Sequence, residues 1–358
     1  MARWGRGLAL MLAGLLCLAL TGCGYHELYE RLLIHGIGVD TGPEGFVVTV
    51  RSSISPQDEG EEYFRCEGRS VLEALSSLSL STGREPFYSH NYLVVFGKGC
   101  AQQGLDQCLD FFVRYYNTRP AVQMYLAENT AEEILSYEKD GKLLKMAELQ
   151  QLGDSGKNNG KAVGAELLDF INGVKREGSS PVLPVLRAGE PGVEVCAAAY
   201  FDEYTLKNTL SLEQARGYMA AKNRLEKGEA VVEGDFGTAT LSLSQAKGEI
   251  SARLEGGRPA FTITVTARAD ISAVSGGRDR PEDGAYPQIA QEAAHLLEGE
   301  ILSAIGQAVE EDRCDIFGFG NLLYRQYPAY WRTAALDWPT LMAECRYEVK
   351  ARIQVAPT

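Results

Sequence analysis

Hydrophobic residues are concentrated in two short stretches near the start of the chain. Leu33–Asp40 and Phe46–Ser53 are predicted to be two strands. Between them lies Thr41-Gly42-Pro43-Glu44-Gly45, a run of turn-forming residues. The pattern therefore predicts a β-hairpin.

Further along the chain, apolar residues recur every three or four positions, which is the spacing of a helix. Ser70, Thr130 and Ser211 each have a Glu or Gln three residues later, which is the capping signal of a helix start. Apolar residues between Leu105 and Tyr116 recur at helical spacing. The short apolar runs Tyr92–Phe96 and Val122–Ala127 indicate buried strands. Strand and helix in succession predict mixed α and β structure.

Two later regions contain signals for chain breaks. The polar stretch from Gly153 to Gly160 has the composition of a flexible loop. Thr238–Ala246 and Glu249–Glu255 are predicted to be two strands that pair around a turn at Lys247-Gly248.

The most regular alternation runs from Phe261 to Ala273, with Thr, Arg, Asp and Ser between the apolar positions. A strand with one buried and one wet face is typical of an antiparallel sheet. A helix predicted over Ile289–Arg313 has an apolar stripe that can cover the buried face. Cys345–Val355 forms a final alternating strand.

Together these elements predict an α+β fold of three mixed domains, with largely antiparallel sheets packed by helices. A domain usually has about 100–200 residues, so the length allows two or three. We place a signal peptide at 1–22, an N-terminal α/β domain at 23–128, a smaller middle domain at 129–190, and a C-terminal α+β domain at 191–358.

Residues 1–22 have the composition of an export signal. Arg3 and Arg6 form a basic start, and the apolar run that follows ends at Leu20, short of the ~20 residues of a spanning helix. Leu20-Thr21-Gly22-Cys23 closes the run and fits the lipobox of bacterial lipoproteins. We expect cleavage before Cys23 and a diacylglycerol on its thiol. The alternative is an ordinary cleaved signal with a chance cysteine.

The balance of charge is acidic, with a formal net charge of −13. Removing residues 1–22 takes away two arginines and no acidic residue, which leaves −15. This argues against nucleic acid as a partner, because phosphate neutralisation needs clustered Lys and Arg. It also argues against a basic patch for anionic lipids. Membrane attachment is therefore expected through the lipid on Cys23, with two or more acyl chains.

Six further cysteines lie beyond Cys23: Cys66, Cys100, Cys108, Cys196, Cys314 and Cys345. No pair has the CxxC spacing of zinc or thioredoxin-type sites, so no metal is expected. Cys108 falls on the apolar face of a predicted helix and Cys345 on the apolar side of a predicted strand. This favours buried free thiols, although an even count outside the cytoplasm leaves disulfides open.

The motifs of catalysis and cofactor binding do not fit this chain. Gly153-Asp154-Ser155-Gly156 is similar to the loop around a trypsin-like serine, but none of the four histidines stands in a matching motif. The glycines before Lys161 lack P-loop spacing, and there is no HExxH. We expect no cofactor. The sequence favours binding or assembly and leaves an unfamiliar hydrolase open.

The order of several segments carries a family resemblance. Cys23 is followed by Glu27-Leu28, by Gly36-Ile37-Gly38-Val39-Asp40, by a histidine-led strand at His90–Gly97 and by a helix at Gly104–Arg114. This series resembles the N-terminal part of the Ger(x)C family, the C-subunit lipoproteins of spore germination. The family commonly has Trp-Asp after the cysteine. Gly-Tyr stands there instead, which puts a docking role of the first residues in doubt.

The C-terminal part of the chain is more specific. The run Asp315-Ile316-Phe317-Gly318-Phe319-Gly320, then Tyr327-Pro328 and Trp331, resembles the family's Asp-hydrophobic-Phe-Gly, Tyr-Pro and Trp stretch. We favour a structural role for these positions, because Phe317, Tyr327 and Trp331 are large apolar anchors suited to packing the last domain.

The resemblance implies an elongated arrangement of three α+β domains and a non-enzymatic subunit of a nutrient germinant receptor. It implies two integral membrane subunits, A and B, as partners and a place on the outer face of the spore inner membrane. It carries over no catalytic residue. The alternative is a solute-binding lipoprotein of a transporter, which predicts two lobes and a ligand cleft. The long strand at 261–274 fits that alternative poorly.

Overall fold

A computed structural model describes residues 31–55, 58–115, 121–275 and 283–356. The predicted signal peptide and the lipobox Leu20–Cys23 lie outside the described residues. Among the helices described, none combines the length and the apolar character needed to cross a membrane.

The described strands are β1 (Arg31–Gly42), β2 (Gly45–Ser55), β3 (Asp58–Gly68), β4 (Glu85–Phe87), β5 (Leu93–Phe96), β6 (Gln123–Ala127), β7 (Glu138–Lys139), β8 (Lys142–Leu143), β9 (Val182–Ala188), β10 (Val193–Asp202), β11 (Thr205–Leu210), β12 (Lys227–Gly234), β13 (Gly237–Glu255), β14 (Arg258–Val274) and β15 (Arg346–Val355).

The described helices are α1 (Val71–Ser76), α2 (Leu78–Thr82), α3 (Lys98–Gln103), α4 (Asp106–Arg114), α5 (Ala131–Leu135), α6 (Met146–Asn159), α7 (Leu167–Lys175), α8 (Leu212–Ala221), α9 (Tyr286–Ile305), α10 (Phe319–Gln326), α11 (Pro328–Ala334) and α12 (Trp338–Ala343). A π-helical segment, Gly306–Glu311, continues α9.

The first half of the chain builds a mixed sheet in the order β11-β10-β9-β6-β5-β1-β2-β3, with β4 beside β1. The predicted hairpin is confirmed, since β1 and β2 pair antiparallel around the turn at 43–44. The α+β class is also confirmed. The expected antiparallel pairing holds at both flanks, whereas β1, β5, β6 and β9 are parallel neighbours.

Helices cover both faces of this parallel centre, which explains the uninterrupted apolar run of β5. Val94 and Phe96 pack with α1, α3, α4 and α7 on one face. Leu93 and Val95 pack with α5 and α6 on the other. A strand buried on both sides reads as continuous hydrophobic sequence.

The second half forms a four-stranded sheet in the order β12-β13-β14-β15. The alternating strand predicted from Phe261 is confirmed in β14, whose apolar face packs with α8 and α9 in one core. The predicted turn at Lys247-Gly248 is wrong, because β13 runs unbroken past it and pairs with β14 along its length. The chain reverses instead at Gly256 and Gly257, which have φ of +58° and +85°.

The flexible loop predicted from Gly153 to Gly160 is also wrong, since α6 continues to Asn159. Gly153 lies where α6 meets the sheet, and a Cβ there would stand 2.5 Å from the Tyr125 hydroxyl oxygen. The helix ends at Gly160, whose φ is +70°. These glycines therefore serve close packing and helix termination.

The large sheet continues across both predicted inner domain borders. β6 and β9, on either side of 128/129, are parallel neighbours. β9 and β10, on either side of 190/191, form an antiparallel pair. Tyr200 of β10 also packs into the core of the second half. The division into domains stays a prediction.

The six later cysteines are unpaired in the described structure. Cys66, Cys100, Cys108 and Cys314 are buried, while Cys196 and Cys345 are partly buried. Burial raises the pKa of Cys66 to about 11 and that of Cys345 to about 12. Thiols with such pKa values carry little thiolate near neutral pH, so they behave as small apolar side chains.

Candidate functional site

The motif residues described by the structure fall into two groups. Gly36, Gly38 and Asp40 lie on β1 in the first sheet. The second group, Asp315 to Gly320 with Tyr327, Pro328 and Trp331, surrounds the start of α10 in the second half. The lipobox Leu20-Thr21-Gly22-Cys23 lies outside the described residues.

The two glycines of β1 let helices pack directly on the strand. A Cβ at Gly38 would lie 2.8 Å from a methyl carbon of Leu135 in α5. One at Gly36 would lie 2.6 Å from the sulfur of Met146 in α6. Any larger residue would push these helices off the sheet.

Asp40 fixes the start of α5. Its carboxylate accepts hydrogen bonds from the backbone N–H groups of Ala131 at 2.8 Å and Glu132 at 2.9 Å. Burial raises the pKa of Asp40, and these two hydrogen bonds oppose the rise. The next strand approaches through Gly97, where a Cβ would collide with the same carboxylate. Asp40 thus joins strand and helix as a cap.

Asp315 is the centre of the second group and is 4% exposed. Oδ1 accepts from the N–H groups of Gly318 at 2.7 Å and Phe319 at 2.8 Å. Oδ2 accepts from Gly320 N at 2.7 Å and from the indole Nε1 of Trp338 at 3.0 Å. Burial raises the pKa of Asp315, and these donors act against that rise. One carboxylate therefore satisfies three N–H groups at the start of α10 and ties α12 to them.

The other motif residues pack around this carboxylate. A Cβ at Gly320 would stand 2.6 Å from Trp338 Nε1 and 2.7 Å from Trp331 Cη2. The rings of Trp331 and Trp338 have centroids 5.5 Å apart. The Tyr327 hydroxyl donates to Ala252 O at 3.3 Å, and Pro328 begins α11. Trp331 and Phe317 are buried.

The same place joins the two halves of the chain. Ser180 N donates to Asp315 O at 2.8 Å, and Asn321 N donates to Gly178 O at 3.0 Å. A Cβ at Gly178 would lie 2.5 Å from Gly320 Cα. Gly178–Ser180 leads into β9 of the large sheet. We call Gly178–Ser180 together with Asp315–Asn321 the Asp315 junction.

Lys222, at the end of α8, lies beside the Asp315 junction. Its Nζ donates to Phe317 O at 2.6 Å. Burial lowers the pKa of Lys222 to about 8; the Asp315 carboxylate opposes that shift and three nearby arginines reinforce it. The surroundings of Lys222 therefore disfavour the charged form of its amine.

We expect the contribution of Lys222 to the free energy of unfolding to rise between pH 8 and about pH 10.4, the usual lysine pKa in an unfolded chain. In this range the unfolded chain holds more protons than the folded one, because the pKa of Lys222 is about 8 when folded. Below pH 8 Lys222 is protonated in both the folded and the unfolded chain, so the folded state bears the full free-energy cost of burying the charge.

Urea unfolding of wild type and Lys222→Met at pH 7, 8.5 and 10 tests this. The wild type should gain stability relative to the variant as the pH rises. Exposed Lys227, replaced by Met, is the control for losing a lysine elsewhere. An unchanged difference between wild type and Lys222→Met across the three pH values would contradict the prediction.

A buried ion pair that the sequence analysis missed holds α8 against α9. Arg216 is 4% exposed and Glu300 is 7% exposed. Arg216 Nε donates to Glu300 Oε2 at 2.9 Å, and a second guanidinium nitrogen contacts Oε1. Gly217 brings the helices together, since a Cβ there would lie 2.7 Å from Ile301 N. The signal in the sequence was a glutamate among the apolar positions of a predicted helix.

The candidate catalytic residues are not assembled in the described residues. His35 Nδ1 lies 3.2 Å from Glu61 Oε1, and Arg51 binds the other oxygen of the same carboxylate at 2.6 Å. His90 and His295 are exposed, and His26 lies outside the described residues. Within the described part of the chain, no three His, Cys, Asp or Glu side chains are placed to hold a metal ion.

Comparison with known proteins gives two successive family matches. Residues 24–188 match the model described as "Spore germination protein N-terminal domain". Residues 197–357 match the model "Spore germination B3/GerAC like, C-terminal".

Relatives of similar length support these matches. Spore germination protein KC of Bacillus subtilis (strain 168) is 23% identical, over 95% of this chain and 93% of the relative. Spore germination protein B3 of the same strain is 19% identical, over 94% of each chain. The crystal structure of the GerBC protein superposes with a TM-score of 0.59 over 90% of this chain and 97% of that one, at 14% identity. That similarity shows a shared fold.

Proposed function

Because the chain belongs to the Ger(x)C family of spore germination proteins, we propose that it is a lipid-anchored, non-enzymatic subunit of a nutrient germinant receptor. In this proposal its partners are two integral membrane subunits, A and B. Its place is the outer face of the spore inner membrane. Its work is receptor assembly or signal coupling.

The succession of family matches along one chain carries the proposal. The first match begins at residue 24, directly after Cys23 of the lipobox, and the second ends at residue 357. The family's two parts therefore follow the predicted cleavage site in order. The lipobox stands where a lipid anchor on the mature N-terminus would require it.

The surroundings of the buried carboxylates support a role without catalysis. Asp40 and Asp315 are the acidic motif residues that the structure describes, and both accept hydrogen bonds from backbone N–H groups that hold helix starts in place. A carboxylate engaged in this way positions structure and has little capacity for proton transfer.

The anchor would act through concentration. A diacylglycerol and a further acyl chain on Cys23 confine the protein to the membrane plane, where the two membrane subunits also lie. Tethering raises effective concentration, so modest protein contacts suffice for assembly.

Deletion of the gene tests the proposal, with germination followed as the fall in optical density after addition of single nutrients. We expect the deletion to abolish at least one nutrient response in a strain without other family members, and wild type to restore it. Cys23→Ala should respond at least about tenfold more slowly, because the gain from tethering is lost.

A matched control is Cys17→Ala, which changes a cysteine of the same leader outside the lipobox. It should restore the response fully at equal protein level. Normal germination of the deletion strain on every nutrient tried would overturn the receptor role. Full rescue by Cys23→Ala would overturn the anchor alone.

A further inference from the structure

A small polar cavity opens beside the Asp315 junction, with a volume of about 240 Å³. Its walls come from four parts of the chain: the end of α7, the end of α8, the middle of β13, and the first turns of α10. The polar groups that line it are Arg176, Ser179, Lys222, Gly318, Asn321 and Arg325.

The charged side chains of this cavity all have the same sign. Arg176, Lys222 and Arg325 line it, and no carboxylate is among its described lining residues. Arg176 and Arg325, together with Arg224, act on Lys222 strongly enough to reinforce the lowering of its pKa. Such a concentration of cations stands out in a chain whose net charge is −13. Like charges held this close repel each other, which costs stability unless something offsets them.

The carboxylate that acts on Lys222, that of Asp315, does so without direct contact. None of the three cations forms an ion pair within the described part of the chain. Lys222 donates to the carbonyl oxygen of Phe317, and Arg325 Nε reaches Asn321 O at 3.4 Å. These contacts hold Lys222 and Arg325 in position without an ion pair, and the Asp315 carboxylate offsets part of the Lys222 charge from a distance.

Gly318, which has no side chain, forms the cavity wall beside Lys222. Gly318 has φ of +75°, and a Cβ there would lie 3.4 Å from Lys222 Nζ. Asn321 and Ser179 add neutral hydrogen-bonding groups to the same walls. A cleft with one sign of charge concentrates counter-ions, and guanidinium groups bind oxyanions with two parallel hydrogen bonds.

We propose that this cavity is a binding site for a small oxyanion carrying a phosphate group, held by Arg176, Lys222 and Arg325. A phosphate group presents its negative charge on several oxygens around one compact centre, which matches three cations around a cavity below the size of typical drug-like pockets. The phosphate can come from a free anion or from the head group of a phospholipid.

Binding there would strengthen the contact between the two halves of the chain. Arg176 follows α7, which packs on the large sheet, whereas Lys222 and Arg325 belong to the second half. A bound anion would be contacted from both sides of the Asp315 junction. This site is independent of the proposed receptor role, and neither stands or falls with the other.

Isothermal titration of the purified full chain in a non-ionic detergent tests the site, at constant ionic strength with chloride as the background anion. One arm uses inorganic phosphate. The other uses glycerophosphoglycerol, the head group of phosphatidylglycerol without acyl chains. Arg176→Gln and Arg325→Gln remove one exposed cation each and are expected to fold like wild type.

We expect saturable binding of at least one probe, weakened at least about tenfold in each variant, because charged hydrogen bonds are lost. Arg332→Gln is the matched control, since this exposed arginine on the neighbouring helix lies outside the cavity. Binding of inorganic phosphate supports a free anion as the source, and binding of the head group alone supports a lipid. Absence of binding in both arms, or equal affinity in the three variants, would overturn the site.

Discussion

Replacing Asp315 by asparagine is expected to lower the free energy of unfolding by about 3–5 kcal/mol. The carboxylate accepts four hydrogen bonds from three backbone N–H groups and the Trp338 indole. Asparagine has nearly the same shape but turns one acceptor into a donor. That amide group would face either two backbone donors or a backbone donor and an indole N–H, and of these donors only the Gly318 N–H is partly exposed.

Urea unfolding followed by tryptophan fluorescence measures this directly. The three tryptophans are Trp4, Trp331 and Trp338, and the first lies in the predicted signal peptide. Trp331 and Trp338 pack against Gly320 beside Asp315, so their emission reports on this part of the fold. The urea midpoint should fall with little change in slope.

Asp337→Asn is the control, because Asp337 is exposed and adjoins Trp338. Its effect should stay within about 0.5 kcal/mol of wild type. A loss below about 1 kcal/mol for Asp315→Asn would show that the carboxylate does not hold the start of α10.

The second large effect concerns the ion pair between α8 and α9. Arg216→Met should cost about 3–5 kcal/mol, because it leaves Glu300 buried without its partner. The double variant Arg216→Met/Glu300→Leu should recover most of that loss, to within about 2 kcal/mol of wild type, since apolar residues of similar volume suit a dry interface.

Unfolding of the two single variants and the double variant completes the cycle. The exposed pair Arg114–Asp110 on α4 provides a comparison, with side chains 80% and 58% exposed. Arg114→Met should change stability by no more than about 0.5 kcal/mol. A double variant as unstable as Arg216→Met would mean that the loss comes from packing rather than from the unpaired charge.

Helix starts were the most predictable part of this fold, because the signal is local. Ser70, Thr130 and Ser211 each accept a hydrogen bond from the backbone N–H three residues later, as their spacing predicts. Strand β14 was equally predictable from the sequence, since its alternation is unbroken and one face is buried.

The prediction failed at β13 because a bulge there resembles a turn. Gln245 has φ of +51°, and the register with β14 shifts between Ser244 and Lys247. Such a bulge interrupts the alternation without ending the strand. Tertiary packing explains the glycine at position 248, because a Cβ there would lie 2.6 Å from the Ala221 carbonyl oxygen of α8.

The motif residues of the site could be predicted from the sequence, whereas the residues that contact them from distant positions could not. Asp315, Gly318 and Gly320 lie close in sequence, so their pattern is visible. Lys222 meets Phe317 across 95 positions, and Arg216 meets Glu300 across 84. Pairs this distant depend on how α8 and α9 pack, which no local pattern encodes.

The position of β1 in the sequence limits how far the folded part of the chain can lie from the proposed lipid anchor. Arg31, the first described residue of β1, follows Cys23 by eight positions. Eight residues span at most about 29 Å when fully extended. If Cys23 carries the proposed lipid anchor, the start of β1 lies no farther than that from the membrane surface. In that case the protein would stay in a thin layer next to the membrane surface, and its partners would have to bind it within that layer.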